Sequence, residues 1–543
     1  MYSFEILFLK VMLLGVYLIQ VANCAVLWLC AMRCGLKIMA EFVIRGLGPD
    51  LTISEIFQSL KDHRDIFFLD SAVPGNQFSK YSFIGVEPFL KIKLTGSTTV
   101  IEMGNKTIRK CGDPFEHLRD LLNEFAIKDI NDDSRIKDIP FLGGAVGYIS
   151  YDMCHFIENV PYTTIDDAGF PEMCFGFFDT FVMFENGSDS CYIISLKFKS
   201  SDSAEDKIDR LIKKIYEGHA RDKGDGGKQL TKLQDSVNLE LSEQFFQSIN
   251  DSQVTINRGN VTSTFTKEGY IDAVKRAKEY INAGDIYQVN LSQRFKAETE
   301  ILPHELYERL RVINPSPFSS FIGFDGFYTI SSSPERLLCT RAVDNNNRFN
   351  DKRSVTAQIR PIKGTRPRCA DFRADMKIRN ELLCSVKDNA ELTMIVDLER
   401  NDLGRVCDYG SVKVMGKKVL ESYATVHHLV STIEGNLNRK YDIVDLIKAI
   451  FPGGSITGAP KIRAMEIIDE LESTRRSVYT GAIGYIGFDG NIDLSMAIRL
   501  FMLKDGMAYF QAGGGIVADS DPVSEYEETI HKAYALIKAI GMG

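Results

Sequence analysis

Six stretches carry side chains that could do chemistry, and the first is RPIKGTRPR, residues 360–368. One lysine, Lys363, stands among three arginines, Arg360, Arg366 and Arg368, in a chain whose formal net charge is -9. At an unperturbed pKa of about 10.4, only about one lysine in 2,500 is a free amine at pH 7. A nucleophilic Lys363 needs burial or neighbouring positive charge to depress that pKa, and the arginines are the expected source of charge. The plainer reading is a lysine that pairs with an anionic substrate. Glu335, in SSSPERLL, follows the apolar run FYTISSS. A carboxyl partly desolvated at a strand end suits a general acid, while a solvated glutamate in a turn is the plainer reading.

Carboxylates form the next group. QAGGGIVADSDPVSEYEETIHKAYALIKAI joins a triple-glycine turn to a helix on which Glu525 and Glu528, three apart, share a face. With Glu391 of DNAELTMIVDLERND they make an oxygen-only set of the kind that Mg²⁺ takes while keeping waters. Same-face glutamates are also ordinary on surface helices. FPGGSITGAPK, residues 451–461, is glycine-rich and ends in lysine but lacks P-loop spacing. It reads either as an anion-facing turn before a helix over 462–471 or as an ordinary loop. His427 and His428, in TVHHLVSTIEG, have no serine or cysteine nucleophile signature beside them, so a structural role or a hydrogen bond to a ligand is expected.

Composition limits the partners. The chain has 543 residues, 44% of them hydrophobic, which is enough for two domains or one large one. A pI near 5.6 argues against a broad nucleic-acid face, so basic clusters must act locally on a small anion. The 11 cysteines show no CxxC spacing and are odd in number, which favours reduced thiols in a cytoplasm over a zinc site or a disulfide framework. Residues 11–32 form an uncharged run long enough, at roughly 20 residues, to cross a bilayer. The preferred reading is that Met39 is the true start and that 1–38 is an artefactual apolar extension. A membrane anchor is the alternative, and a signal peptide fits less well because the apolar region is too long.

These side chains need elements to hold them. From residue 39 to about 220, runs such as DIFFLDSA, KYSFIGVEPFLKIKL, STTVIEM and CYIISLKFK predict antiparallel sheet, with helices over 53–62 and 115–125. FLGGAVGYISYD predicts a strand whose backbone is closely approached. An amphipathic helix over 203–217 precedes a polar linker, 221–260. The second block, 261–543, opens with a helix over 267–283 that ends at Gly284 before a strand. Mixed helices and strands without a βαβ rhythm make the expected fold class α+β.

In order, GDIYQVNLSQRF, SSSPERLL, RPIKGTRPR, ELTMIVDLERNDLGRVC, VHHLVSTIEG, FPGGSITGAPKIRAMEIIDELE, GAIGYI, SMAIR and GGGIVADSDPVSEYEET resemble the chorismate-utilising enzymes. FFLDSA, KYSFIGVEP and FLGGAVGYISYD resemble the component I subunits of that family. The family includes anthranilate synthase, aminodeoxychorismate synthase, isochorismate synthase and salicylate synthase. The resemblance implies large antiparallel β-sheets forming a sandwich flanked by helices, as in anthranilate synthase component I. Lys363 stands where anthranilate synthases carry alanine and aminodeoxychorismate synthases carry lysine. Gln288 stands where isochorismate and salicylate synthases carry a water-activating lysine. The implied branch is therefore amination of chorismate to 4-amino-4-deoxychorismate. Anthranilate synthesis and a non-catalytic chorismate-binding subunit are the alternatives.

The resemblance also implies roles. Mg²⁺, held by Glu391, Glu525 and Glu528, would bind the ring carboxylate. Lys363 would attack C2 while Glu335 protonates the oxygen leaving C4, and ammonia would then add at C4 and expel the lysine. Arg499 and the backbone amides of Gly513 and Gly514 would hold the enolpyruvyl side, with Tyr479 and His428 near the ring and Lys461 on a carboxylate. Gln288, Asn290, Thr365 and Thr457 complete the implied substrate set. No GxCxGxQ nucleophile occurs, so a separate glutamine amidotransferase subunit, component II, is the implied ammonia source. FLDSA with KYSFIG resembles a feedback tryptophan segment, with Asp70 in place of the usual glutamate.

Overall fold

LKIKLT shows how the chain makes sheet: Leu90, Ile92 and Leu94 are buried, while Lys91 and Lys93 turn outward onto Asp325. The structure is a computed structural model describing residues 41–541 except 49–50, 74–77, 128–138, 189, 199–201, 225–254, 257–258, 344–353, 370 and 424–425. The apolar run at 11–32 and most of the expected linker lie outside the described residues. Among the described residues no helix is long and apolar enough to cross a membrane.

The strands form two twelve-stranded antiparallel sheets. The first runs β1 (Glu41–Leu47), β10 (Ser190–Lys197), β9 (Thr180–Glu185), β3 (Tyr81–Val86), β2 (Ile66–Asp70), β15 (Phe318–Phe324), β16 (Phe327–Ser333), β25 (Leu500–Lys504), β26 (Met507–Ile516), β14 (Gln288–Glu298) and β13 (Thr262–Ser263), with β22 (Gly458–Ala459) also on β14. The second runs β19 (Ile362–Pro367), β21 (Val426–Asn436), β18 (Ser354–Arg360), β17 (Arg336–Val343), β24 (Ile492–Met496), β23 (Ala482–Gly487), β7 (Gly144–Ile149), β8 (Met173–Phe178), β4 (Leu90–Thr95), β5 (Thr98–Met103) and β6 (Lys106–Cys111), with β20 (Lys413–Ser422) also on β21. A two-residue pair, β11 (Thr255–Ile256) with β12 (Gly259–Asn260), stands apart. The described helices are α1 (Ile53–Leu60), α2 (Pro114–Glu124), α3 (Ala204–Gly224), α4 (Lys267–Ala283), α5 (Pro303–Ile313), α6 (Phe372–Cys384), α7 (Val386–Gly404), α8 (Ile443–Ile450), α9 (Lys461–Leu471) and α10 (Pro522–Gly541).

Both sheets draw on both sequence blocks. Phe68 of β2 pairs with Phe321 of β15, and Gly147 of β7 pairs with Gly484 of β23. The blocks 39–220 and 261–543 are thus segments of sequence woven into shared sheets. Phe67, Phe83 and Phe181 of the first sheet meet Val146, Phe178 and Tyr485 of the second in one core cluster. Phe67 and Phe178 cross edge-on at 4.6 Å. Each such buried aromatic contributes about 1.5–3 kcal/mol, so the inter-sheet layer rather than either sheet alone fixes the sandwich.

FLGGAVGYISYD owes its glycines to this packing, because a Cβ on Gly147 would lie 2.0 Å from the Cys174 carbonyl oxygen. Helix α4 begins at Thr266, whose side chain accepts the Gly269 N–H, and ends at Gly284 with φ 84°. Helix α3 continues to Gly224, seven residues beyond the expected end. Gly218 does not stop it: a Cβ there would stand 2.1 Å from the Ser59 carbonyl oxygen, so the glycine lets α3 cross close over α1.

Candidate active site

Lys363 lies on β19, the edge strand of the second sheet. The pairing with β21 shifts register between Ile362↔Val430 and Thr365↔His428, and Gly364 has φ +80°. This bulge re-aims the lysine, and a Cβ on Gly364 would meet Asp388 Cβ at 3.0 Å and Leu382 at 2.9 Å. Half-buried, the Lys363 amine makes no hydrogen bond or ion pair with any described residue. Burial pushes its pKa down; Glu391 opposes this, Lys532 adds to it, and Glu335 and Glu528 oppose it further.

The arginines expected to depress that pKa are otherwise engaged. Arg360 bonds Glu421 and Thr432, Arg366 bonds Asp388 at 2.9 Å, and Arg368 holds both oxygens of Asp375 at 2.9 Å. Each cation is matched by a carboxylate, so it holds the edge strand in place and adds little field at the lysine. The cation that does act on Lys363 is Lys532 of α10.

Glu335 occupies the turn between β16 and β17. Ser333 Oγ accepts its N–H at 3.3 Å, and its carbonyl accepts Met496 N–H at 3.0 Å. The carboxyl is buried and accepts Ile362 N–H at 3.4 Å, one residue from Lys363. Burial pushes its pKa up, offset in part by the Ser455 hydroxyl and by Lys363. Acid and amine therefore stand side by side, each biased by burial toward its neutral form.

The opposite wall comes from β26, β14 and α10. Pairing between β25 and β26 stops at Phe501↔Phe510, so the remainder of β26 shows β25 an open edge. Ser292 N–H goes to Glu472 and Asn290 N–H goes to the Thr457 carbonyl, so Ser292↔Gly513 and Asn290↔Gly515 are the non-hydrogen-bonded pairs of β14 and β26. The Gly513 N–H accordingly faces the open edge, and the Lys532 amine takes its carbonyl at 2.9 Å. The Gly514 N–H belongs to the ladder with Leu291. Of the two amides expected to bind substrate, only Gly513's is available.

Arg499, with φ 54°, donates to the Lys532 carbonyl and makes no salt bridge to a described carboxylate. Burial pushes its pKa down, without loss of charge. The Gln288 side chain is fully buried, with both amide atoms unpartnered, and Asn290 Oδ1 is likewise orphaned. Such atoms cost about 1–3 kcal/mol each unless a ligand or water meets them. Thr365 Oγ1 and His428 Nδ1 share a 2.8 Å hydrogen bond. Burial, with Arg499 and His427, carries His428 down to about 4, so its imidazole is neutral near pH 7. Tyr479 is buried, and Thr457 donates its hydroxyl to the Gly453 carbonyl at 2.9 Å. Lys461 departs from expectation: it is held by Asp402 at 2.6 Å and by the Ile450 carbonyl at 3.2 Å. The anion at this helix start is the chain's own Asp402.

Glu391 and Glu525 flank Lys387, and Glu525 and Glu528 flank Gly514. Lys387 lies 3.9 Å from Glu391 and 4.0 Å from Glu525, and a Cβ on Gly514 would meet Glu525 at 3.2 Å and Glu528 at 3.3 Å. Burial pushes Glu391 and Glu525 up. For Glu528 burial is outweighed by Lys532, and its pKa falls. Among the described residues no three acidic, imidazole or thiol groups stand close enough to form a metal-binding group; Glu528 bonds Lys532, Glu391 faces Lys387, and Glu525 accepts the Ser520 hydroxyl at 2.6 Å. The three carboxylates have the oxygen chemistry that a hard divalent cation takes, but their spacing here does not gather them into one site.

Sequence reasoning missed Lys532, Lys387, Glu399 and the Arg476–Glu472 pair. Lys532 was signalled by its place four residues after Glu528. Asp70, in the segment resembling a feedback site, is buried and already bonded to Arg311 and to Tyr307 at 2.8 Å.

The chorismate binding enzyme family matches residues 65–538. The chain is 37% identical over 491 residues to anthranilate synthase component 1 of Acetivibrio thermocellus, covering 89% of this chain and 92% of that one. It is 35% identical over 487 residues to aminodeoxychorismate synthase component 1 of Bacillus subtilis, covering 90% and 93%. Its fold matches the crystal structure of anthranilate synthase component I from Streptococcus pneumoniae with a TM-score of 0.66 at 30% identity, over 85% of this chain and 92% of the other. With two twelve-stranded sheets, flanking helices and this convergence of lysine, acid, arginine and carboxylates, the chain belongs to the chorismate-utilising enzymes, of the anthranilate and aminodeoxychorismate synthase component I type.

Proposed function

We propose that the chain is component I of an aminodeoxychorismate synthase, aminating chorismate on the way to 4-aminobenzoate and folate. The supporting observation is Lys363: an unpaired amine, depressed by burial, beside a buried carboxyl raised by burial. In the first step the Lys363 nitrogen bonds to C2, both ring double bonds shift (C1=C2 to C1=C6 and C5=C6 to C4=C5), and the C4–O bond breaks. Glu335 gives its proton to the departing oxygen, which leaves as water. Ammonia then bonds to C4, both double bonds shift back to C5=C6 and C1=C2, and the C2–N bond to Lys363 breaks, releasing the neutral amine. The ammonium formed at C4 returns a proton to Glu335.

Arg499 and the Gly513 N–H face the enolpyruvyl carboxylate, and the neutral His428, fixed by Thr365, borders the ring. Glu391, Glu525 and Glu528 would hold Mg²⁺, which when bound supplies positive charge for the ring carboxylate. Gln288 presents an amide where a water-activating base would otherwise stand. Ammonia is supplied by a separate glutamine amidotransferase subunit.

The test is incubation with chorismate, Mg²⁺ and ammonium. A product that a lyase converts to 4-aminobenzoate supports the reading. Fluorescent anthranilate overturns it in favour of anthranilate synthase, and absence of turnover favours a binding subunit.

A further inference from the structure

Behind Glu335 lies a second buried acid that the proposed reaction does not use. Glu399 falls on the apolar stripe of α7 with Leu392, Ile395, Val396, Asp402 and Leu403. It is 3% exposed, and its Oε2 has no hydrogen-bond partner. The turn at 453–455 is wedged between α7 and the strands flanking Glu335. A Cβ on Gly454 would meet Glu399 Cγ at 3.5 Å, while one on Gly453 would meet Met496 at 2.5 Å and Leu337 at 3.1 Å. The next residue, Ser455, has its hydroxyl buried beside Glu335.

Few charges reach this spot. After burial, Glu335 acts most strongly on Glu399, followed by Asp402 and Lys461, which are paired with each other, and then Lys363 of β19. From β21, His427 bonds Asp375 of α6 and His428 bonds Thr365. On α8, Asp445 and Lys448 reach across to Arg119 and Asp113, and Glu421 of β20 holds Arg360. The turn and β22 carry no ionisable side chain. Lys461 is engaged by Asp402, Glu399 makes no salt bridge among the described residues, and burial pushes its pKa well above the carboxyl range.

We propose that Glu399 is a positioning residue that stores a proton for Glu335, the two carboxyls sharing one proton between them. Two carboxyls close together in a buried site lose their protons as a pair, the second at higher pH than either alone. A proton thus stays at hand for the departing oxygen where Glu335 by itself would have ionised. It passes from Glu399 to Glu335 and on to the leaving oxygen. It is replaced through Glu335 when the ammonium at C4 deprotonates, so the cycle is neutral in protons. The inference rests on the reading of Glu335 as the acid.

The test is the pH profile of ammonium-dependent chorismate turnover in wild type and Glu399→Gln, which keeps size and polarity but cannot store a proton. The variant should keep KM for chorismate, while the alkaline limb of kcat moves down by about one pH unit, a loss of about tenfold on that side. Superimposable profiles overturn the inference. If 4-amino-4-deoxychorismate is still the product, the proposed function survives that failure; anthranilate as product overturns the function instead. Infrared titration of the wild-type protein gives a readout without turnover. The wild-type minus Glu399→Gln difference spectrum at pH 7 should show a protonated-carboxyl band, and its absence would sink the proposal.

Discussion

Arg476 and Lys363 are both cations enclosed by protein, and their surroundings are opposites. Arg476, 1% exposed, holds Glu472 through two hydrogen bonds at 2.9 and 2.7 Å. It also bonds the carbonyls of Ile456 at 3.0 Å and Asn290 at 2.7 Å, and Glu472 takes both polar groups of Ser292. Every donor has an acceptor, and the network ties α9, β14 and the 453–457 turn together. Around Lys363 the groups are left open: an amine without a partner, a carboxyl with one 3.4 Å contact, an arginine on a single carbonyl, and a glutamine with none. A folded chain tolerates such unpaired groups only where the sandwich holds them in place, and they are what a polyanionic substrate would complete.

Substitutions should separate these two kinds of charge. Lys363→Ala should lower ammonium-dependent amination by about 1,000-fold or more, the scale of losing a covalent nucleophile, with the thermal midpoint unchanged or raised. Glu335→Gln should cost about 10²–10⁴ in kcat at unchanged fold, read by steady-state kinetics and circular dichroism. Arg476→Ala should do the reverse, removing about 3–5 kcal/mol of stability in urea unfolding by leaving Glu472 buried and unpaired. Arg366→Ala, at a half-exposed pair, should cost no more than about 1 kcal/mol and leave turnover intact. A large activity loss there would restore the arginines as the source of the field on Lys363.

The smallest effect is on pH dependence. Because burial lowers the folded-state pKa of Lys363 from 10.5, the native state binds fewer protons than the unfolded one between that lowered value and 10.5. Lys363 therefore opposes folding at neutral pH, and its penalty fades as pH rises through this window. Unfolding at pH 7 and pH 9 should show this gain in wild type, and Lys363→Ala should lack it.

Much of this contrast was legible in the sequence. Period-two runs predicted the antiparallel sheets, and ordered motifs placed Lys363, Glu335 and the three carboxylates. The rest needed pairings that sequence does not encode locally. The arginines of RPIKGTRPR looked free because Glu421 and Asp388 lie 61 and 22 residues away. Lys461 looked free because Asp402 is 59 residues distant. Which of Gly513 and Gly514 offers its amide depends on strand register, which the glycines themselves do not reveal. Glu399 was readable after all, as an acid on the apolar stripe of a helix.

The central claim is that Lys363 is a nucleophile and not only a charge. The most direct measurement is the intact mass of protein quenched during turnover of chorismate. Wild type should show a population heavier by the dehydrated substrate, absent from Lys363→Ala. A Lys363→Ala variant that keeps full ammonium-dependent activity, or an adduct that survives the substitution, would contradict the account.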